Sequence, residues 1–193
     1  MDTNQVSALT LRELVNCGWS PRRRIGLRLA GIRLSAAGYT MHECSKRILK
    51  SFGGLDLSFS TGDSHPAYGK GIICFFAWYR RMSSIERTSI GCRWSRKCAE
   101  SVFIEEYFSQ PVCYIGRLDY LPFLSPSDQG GLMFSLADMR IIICPPEMLS
   151  MFEFRGLEGV FSAVFDGNYS AMQEVVVDGD QRWISRLQEL RLW

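Results

Sequence analysis

The stretch Gly18-Trp19-Ser20-Pro21-Arg22-Arg23-Arg24, answered downstream by Phe52-Gly53-Gly54-Leu55, organises this chain. Gly18 can end a short helix in the left-handed conformation that side chains disfavour. Trp19 carries a large apolar face that seeks burial. Pro21 prevents a helix from running through, and the arginines after it are expected to open a second one. Two glycines, Gly53 and Gly54, then release a further helix into Leu55-Asp56-Leu57-Ser58-Phe59-Ser60, whose apolar and polar residues alternate as in a half-buried strand.

Working outward, Thr10 with Glu13 forms a capping-box pattern ahead of Leu14 and Val15, and Thr40 with Glu43 repeats it. The second box precedes Met41, Cys44, Ile48 and Phe52, which share one helical face. Ser60 to Gly71 reads as a loop. Ile72 to Tyr79 is a β-rich block expected to form a central strand. A helix over Ser95 to Phe108 would turn Cys98, Val102 and Tyr107 inward. Val112 to Ile115 reads as a strand closed by Gly116. Tyr120 to Leu124, the turn Ser127-Asp128-Gln129-Gly130-Gly131, and Leu132 to Leu136 read together as a hairpin. Ile141 to Cys144 is a strand stopped by Pro145-Pro146.

Leu157, Val160, Phe161, Val164 and Phe165 follow the helical spacing rule, and Gly167 closes that helix. Glu174 to Val177 is a strand candidate. Asp180 can cap a last helix with Trp183, Leu187 and Leu190 on one face. Helices first, then a mostly antiparallel sheet, then helices make an α+β domain. Residues 1–167 are expected to form that domain, and residues 168–193 a C-terminal extension, a short strand and a helix packed on it.

The 193 residues are 47% hydrophobic and 22% charged, a globular composition able to bury a core. The net charge of +2 selects no partner by bulk electrostatics and is too weak to argue for a nucleic-acid binder. Seven scattered cysteines in an odd count argue against a disulfide framework. No opening segment resembles a secretory signal, and the longest apolar run is too short to cross a bilayer, so a cytoplasmic address is expected.

The order of parts resembles the SUKH superfamily, closest to its third branch of bacterial toxin-immunity proteins. That branch runs helix, Gly-Trp, Arg, helix, then Phe-Gly-Gly-Leu. Here Gly18, Trp19, Arg22, Phe52, Gly53, Gly54 and Leu55 carry the resemblance, continued by Pro111 and Gly116 of the Pro-Val/Ile-Gly strand. The hairpin through Gly130-Gly131 and the closing helix Leu157 to Gly167 extend it, so it covers Thr10 to Gly167. The Ile72 to Cys98 region is longer and more basic than the pattern, and the tail after Gly167 is extra. The resemblance implies a SUKH-like single domain, an antidote that occludes a cognate polymorphic toxin domain; such toxins are often nucleases or deaminases, and the near-neutral charge of this chain assigns no nuclease target.

Catalytic alternatives lack their parts. Thr61-Gly62-Asp63-Ser64-His65 is similar to a lipase Gly-Asp-Ser motif, but no histidine follows His65 to serve as base. No Cys-x-x-Cys pair occurs for zinc, and no glycine-rich phosphate loop is present. No catalytic residue, cofactor or metal is therefore expected. Arg80, Arg81, Arg87, Arg93, Arg96 and Lys97, with Trp78, Tyr79 and Trp94 nearby, admit two readings. They could contact phosphate, or cover apolar surface and pair with Glu100, Glu105 or Glu106. The near charge balance of the chain favours the second.

Asp56, Asp63 and Asp128 are the expected contacts to a basic toxin surface, with His65 and Trp94 beside them. Trp19 is expected beside Phe52 in the core. Two other readings stay open: an interaction scaffold of the fungal or viral SUKH kind without a toxin, and a nucleic-acid binder through Arg80 to Lys97.

Overall fold

In the computed structural model, residues 6–60, 70–76, 97–118, 130–145 and 150–176 are described, together with Ser185 and Glu189. Three helices come first: α1 (Ala8–Asn16), α2 (Arg28–Ala36) and α3 (Glu43–Phe52). Two strands follow, β1 (Asp56–Ser60) and β2 (Lys70–Phe75), then α4 (Ala99–Phe108). Strands β3 (Val112–Leu118), β4 (Gly131–Leu136), β5 (Ile141–Cys144) and β6 (Ser150–Phe154) lead to α5 (Gly156–Asp166) and β7 (Met172–Val176).

The strands pair in chain order, β1 to β7, each antiparallel to the next. The fold is α+β with an antiparallel sheet and flanking helices, as the sequence led one to expect. Every residue of β5 and nearly every one of β3 and β4 is buried, so the middle strands are covered on both faces. Their near-continuous apolar runs reflect that. Helix α5 touches β1 as well as β5, β6 and β7. Six strand spacings would separate the flat edges by about 29 Å, far more than a helix is wide. The sheet therefore curls around α5.

Aromatic residues fill the junction of sheet and helices. Trp19 lies parallel to Phe52, with ring centroids 5.7 Å apart, so the expected core pairing is present. Phe52 in turn meets Phe75 of β2 and Phe161 of α5. A second set, Phe76, Tyr114 and Phe134, packs edge to face across β3 and β4.

Several sequence expectations shift in place or role. Ser7, not Thr10, caps α1: its hydroxyl accepts from the Thr10 amide at 3.0 Å. Thr10 is fully buried instead, its hydroxyl turned to the Asp166 carboxylate at the end of α5. Likewise His42 rather than Thr40 caps α3, its ring accepting from the Ser45 amide. The arginines after Pro21 do not open a helix, because α2 begins only at Arg28. Helix α3 ends at Gly53 as expected, yet the positive φ belongs to Gly54, at +75°.

The expected loop from Ser60 to Gly71 gives up both ends to strands, since Ser60 pairs with Lys70 and Phe59 with Gly71. Helix α4 starts at Ala99 and buries Ser101, Phe103 and Ile104, while Val102 and Tyr107 are only half-buried. Gly116 does not close its strand. It sits inside β3, where the register with β4 shifts between Tyr114 and Gly116, and a Cβ there would lie 2.4 Å from the Cys74 carbonyl oxygen. Only glycine permits that approach of two backbones. The hairpin partner of β4 is β3, and Tyr120 to Leu124 with the turn at Ser127–Gln129 lie outside the described residues. Strand β2 holds second place in the sheet rather than the centre, and β6 has no counterpart in the sequence reading. β7 begins two residues before the candidate strand and pairs with β6. The residues after Val176 lie outside the description except Ser185 and Glu189, both helical and exposed.

Candidate partner-binding face

The two sequence signatures meet at the C-terminal end of α3. A helix leaves its last carbonyls without intrahelical donors, and buried ones must find partners elsewhere. Two are satisfied locally: Leu49 O accepts from Gly53 N and Phe52 O from Leu55 N, both at 2.9 Å. The other three are satisfied by the segment after Pro21. Ile25 N donates to Lys50 O at 3.0 Å. The Arg23 guanidinium donates through Nη1 to Ser51 O at 2.8 Å and through Nη2 to Gly53 O at 3.0 Å. A planar fork with parallel N–H groups suits two neighbouring carbonyls, and its charge favours the negative end of the helix.

The interaction falls to Arg23, while Arg22, expected to carry the motif, is exposed. Gly54 completes the junction, its amide donating to Phe76 O at 3.1 Å. Gly-Trp-Ser-Pro-Arg-Arg and Phe-Gly-Gly-Leu are thus one structural unit, a stacked Trp19–Phe52 pair beside a clamped helix end.

Phe52 of this unit, with the adjoining Arg24 and Ser51, lines a pocket of about 460 Å³ between α3 and the first turn of α5. Ile48, Phe52 and Leu157, all buried, lie on its apolar side. Arg24, Arg47 and Lys50 are exposed at its rim, and Glu158 is the acid among the lining residues. Glu158 folds back over the helix start, its Oε2 3.0 Å from where a Gly156 Cβ would stand. Met139 reaches the rim from the β4–β5 turn. It is 51% exposed and has a φ of +76°, a left-handed conformation that non-glycine residues rarely adopt.

That turn is held by charges. The Asp138 carboxylate accepts from Arg140 Nε at 2.8 Å and from Gln110 Nε2 at 2.9 Å. Burial works against its charge, but these bonds prevail and its carboxyl titrates below the ordinary range. Arg140 also reaches Glu153 at 3.2 Å and lies over the Phe108 ring. Nearby, His42 Nδ1 accepts from Ser45 N, so Nε2 bears the proton and donates to Ser135 O at 2.9 Å. Burial lowers the imidazole pKa and keeps this tautomer neutral.

Of the acids expected to meet a partner, Asp56 is exposed at the start of edge strand β1. Asp63, His65, Trp94 and Asp128 lie outside the described residues. In the basic segment, Arg80 to Arg96 also lie outside them. Lys97 is described, and its ammonium pairs with Glu105 and lies over the Tyr39 ring, 5.8 Å from the centroid. Glu105 also accepts from Val112 N, joining α4 to β3.

The buried thiols are packing groups. Burial pushes Cys44 and Cys98 up to about 11 and Cys113 up to about 12, so at neutral pH all three stay protonated and poorly nucleophilic. Among the described residues, no cluster of three or more His, Cys, Asp or Glu could hold a metal ion, and no helix is long and apolar enough to cross a membrane.

The pocket is not evident from local sequence, because Arg24 comes from the segment after Pro21 and Arg47 and Lys50 from α3. The signal lies in the charge distribution. Residues 18–55 hold eight of the chain's 22 Lys and Arg but only Glu43 of its 20 Asp and Glu. Comparisons with protein-family models, with curated proteins and with solved structures return no match for this chain.

Proposed function

We propose that this protein is a non-catalytic, cytoplasmic binding protein that neutralises a cognate toxin domain by occluding it, in the manner of SUKH immunity proteins. The observation that supports the reading most is the clamp at the end of α3. Three backbone acceptors there are met by Arg23 and Ile25, with Trp19 stacked on Phe52. The segments that carry the family resemblance are thereby held together as one packed unit, which is what the reading expects of them. Around them the chemistry is that of a docking face: a pocket with an apolar side, cations at its rim, and protonated thiols in the core. Occlusion by such a face needs an interface of about 1,200–2,000 Å² and no turnover.

The test is growth. Cells producing the toxin domain encoded beside this chain should survive when the chain is co-produced and die when it is not. Death in both cases rejects the reading. The interaction-scaffold alternative predicts no such toxin partner, and protection would exclude it.

A further inference from the structure

Resting on the binding-protein reading, we infer that the pocket between α3 and α5 is the docking point, and that it takes an acidic segment of a partner protein with an apolar side chain at its centre. This reverses the polarity expected from Asp56, Asp63 and Asp128. Three observations carry it. Arg24, Arg47 and Lys50 stand exposed around one opening, against the single carboxylate of Glu158. Among the described residues the side chains of Arg47 and Lys50 make no ion pair or hydrogen bond, whereas neighbouring Lys46 is paired with Glu43. The surrounding segment, residues 18–55, is strongly cationic within a nearly neutral chain, giving a local field that the net charge conceals.

The apolar side of the pocket defines the rest of the ligand. Ile48, Phe52 and Leu157 lie below the rim, and Met139 stands half-exposed beside it. A volume of about 460 Å³ admits an inserted side chain, and the cations around it suit flanking carboxylates. An apolar anchor inside a charged rim is the usual arrangement of an interface hot spot. Methionine adapts its shape to such an anchor more readily than a branched residue would.

The probe is a blocked hexapeptide, Asp-Glu-Leu-Phe-Asp-Glu, titrated into the full chain while its amide chemical shifts are followed. Binding should perturb α3 and the first turn of α5. It should weaken by about tenfold or more in the double variant Arg47→Glu/Lys50→Glu and severalfold between low and high salt. The control Arg12→Glu/Arg28→Glu changes net charge equally on α1 and α2 and should leave binding within about twofold. Replacing Leu-Phe by Ser-Ser in the peptide should also abolish binding. No detectable binding, equal binding of Lys-Lys-Leu-Phe-Lys-Lys, or indifference to the double variant would each overturn the inference. The two readings fail separately. Protection from the toxin by the folded double variant refutes this docking point and leaves neutralisation standing. Failure of the unaltered chain to protect refutes neutralisation, while the titration still judges the pocket.

Discussion

Replacing Arg23 by alanine should cost the fold about 2–4 kcal/mol, working from two hydrogen bonds donated by a charged group at about 1.5–3 kcal/mol each, discounted for partial exposure. The bonds run to Ser51 O and Gly53 O at 2.8 and 3.0 Å, and the loss strands both carbonyls at the end of α3. For a chain of this size, each kcal/mol moves the melting midpoint by about 2–4 °C, so a fall of roughly 4–16 °C is expected. Equilibrium unfolding in urea followed by far-UV circular dichroism reads the free-energy change, and a thermal melt reads the shift in midpoint. Arg22→Ala is the matched control and should shift stability by less than about 0.5 kcal/mol, since Arg22 is exposed. If Arg23→Ala is as mild as its control, the clamp does not hold the two signatures together.

Gly116→Ala places a Cβ 2.4 Å from Cys74 O and should prevent β2 and β3 from pairing, giving protein that is insoluble or destabilised by roughly 3 kcal/mol or more. Normal folding would refute the close approach. Met139→Gly relieves a left-handed residue worth about 1–2 kcal/mol but frees the unfolded chain by about 0.4–1 kcal/mol, so a thermal melt should show a net gain of roughly 0.5 kcal/mol. A loss of stability would mean that Met139 packs more tightly than its exposure indicates. His42 makes stability pH-dependent. Its folded pKa lies below the ordinary 6.5, chiefly through burial, so below pH 6.5 the unfolded chain binds the proton more readily. This contribution is fully present above pH 6.5 and is lost as pH falls through the folded pKa. Unfolding curves for the unaltered chain should therefore weaken between about pH 7.5 and about pH 5.5 more than those of His42→Asn, which keeps a capping side chain without the titration. Equal slopes would contradict the buried neutral tautomer.

Much of the fold is legible where one physical rule governs a segment. Helix α5 is amphipathic and glycine-terminated, β1 alternates, and β5 is a short apolar run before a proline. Helix α2 is harder to delimit. It buries Ala30 and Leu34 while Leu29 and Ile32 are each more than half exposed, so its hydrophobic residues do not sort onto one face. The end of β3 escapes a sequence reading because a glycine that usually punctuates a strand here permits a bulge. His42 as a cap lies outside the usual preference for Ser, Thr, Asp and Asn.

At the candidate site, three consecutive arginines are indistinguishable in sequence. Arg22 faces solvent, Arg23 locks α3, and Arg24 joins the pocket rim. Those divisions of labour arise from where the chain turns after Pro21, which the charge pattern does not encode.

The decisive measurement for the proposed occlusion is a titration of a fixed amount of any toxin domain encoded beside this chain with the protein, while toxin activity is followed. Neutralisation by occlusion gives a linear fall in activity that reaches zero near a fixed stoichiometric equivalence point, with both chains recovered chemically unchanged in a complex. Silencing of the toxin by amounts far below equivalence, or a covalent change in either chain, would contradict it.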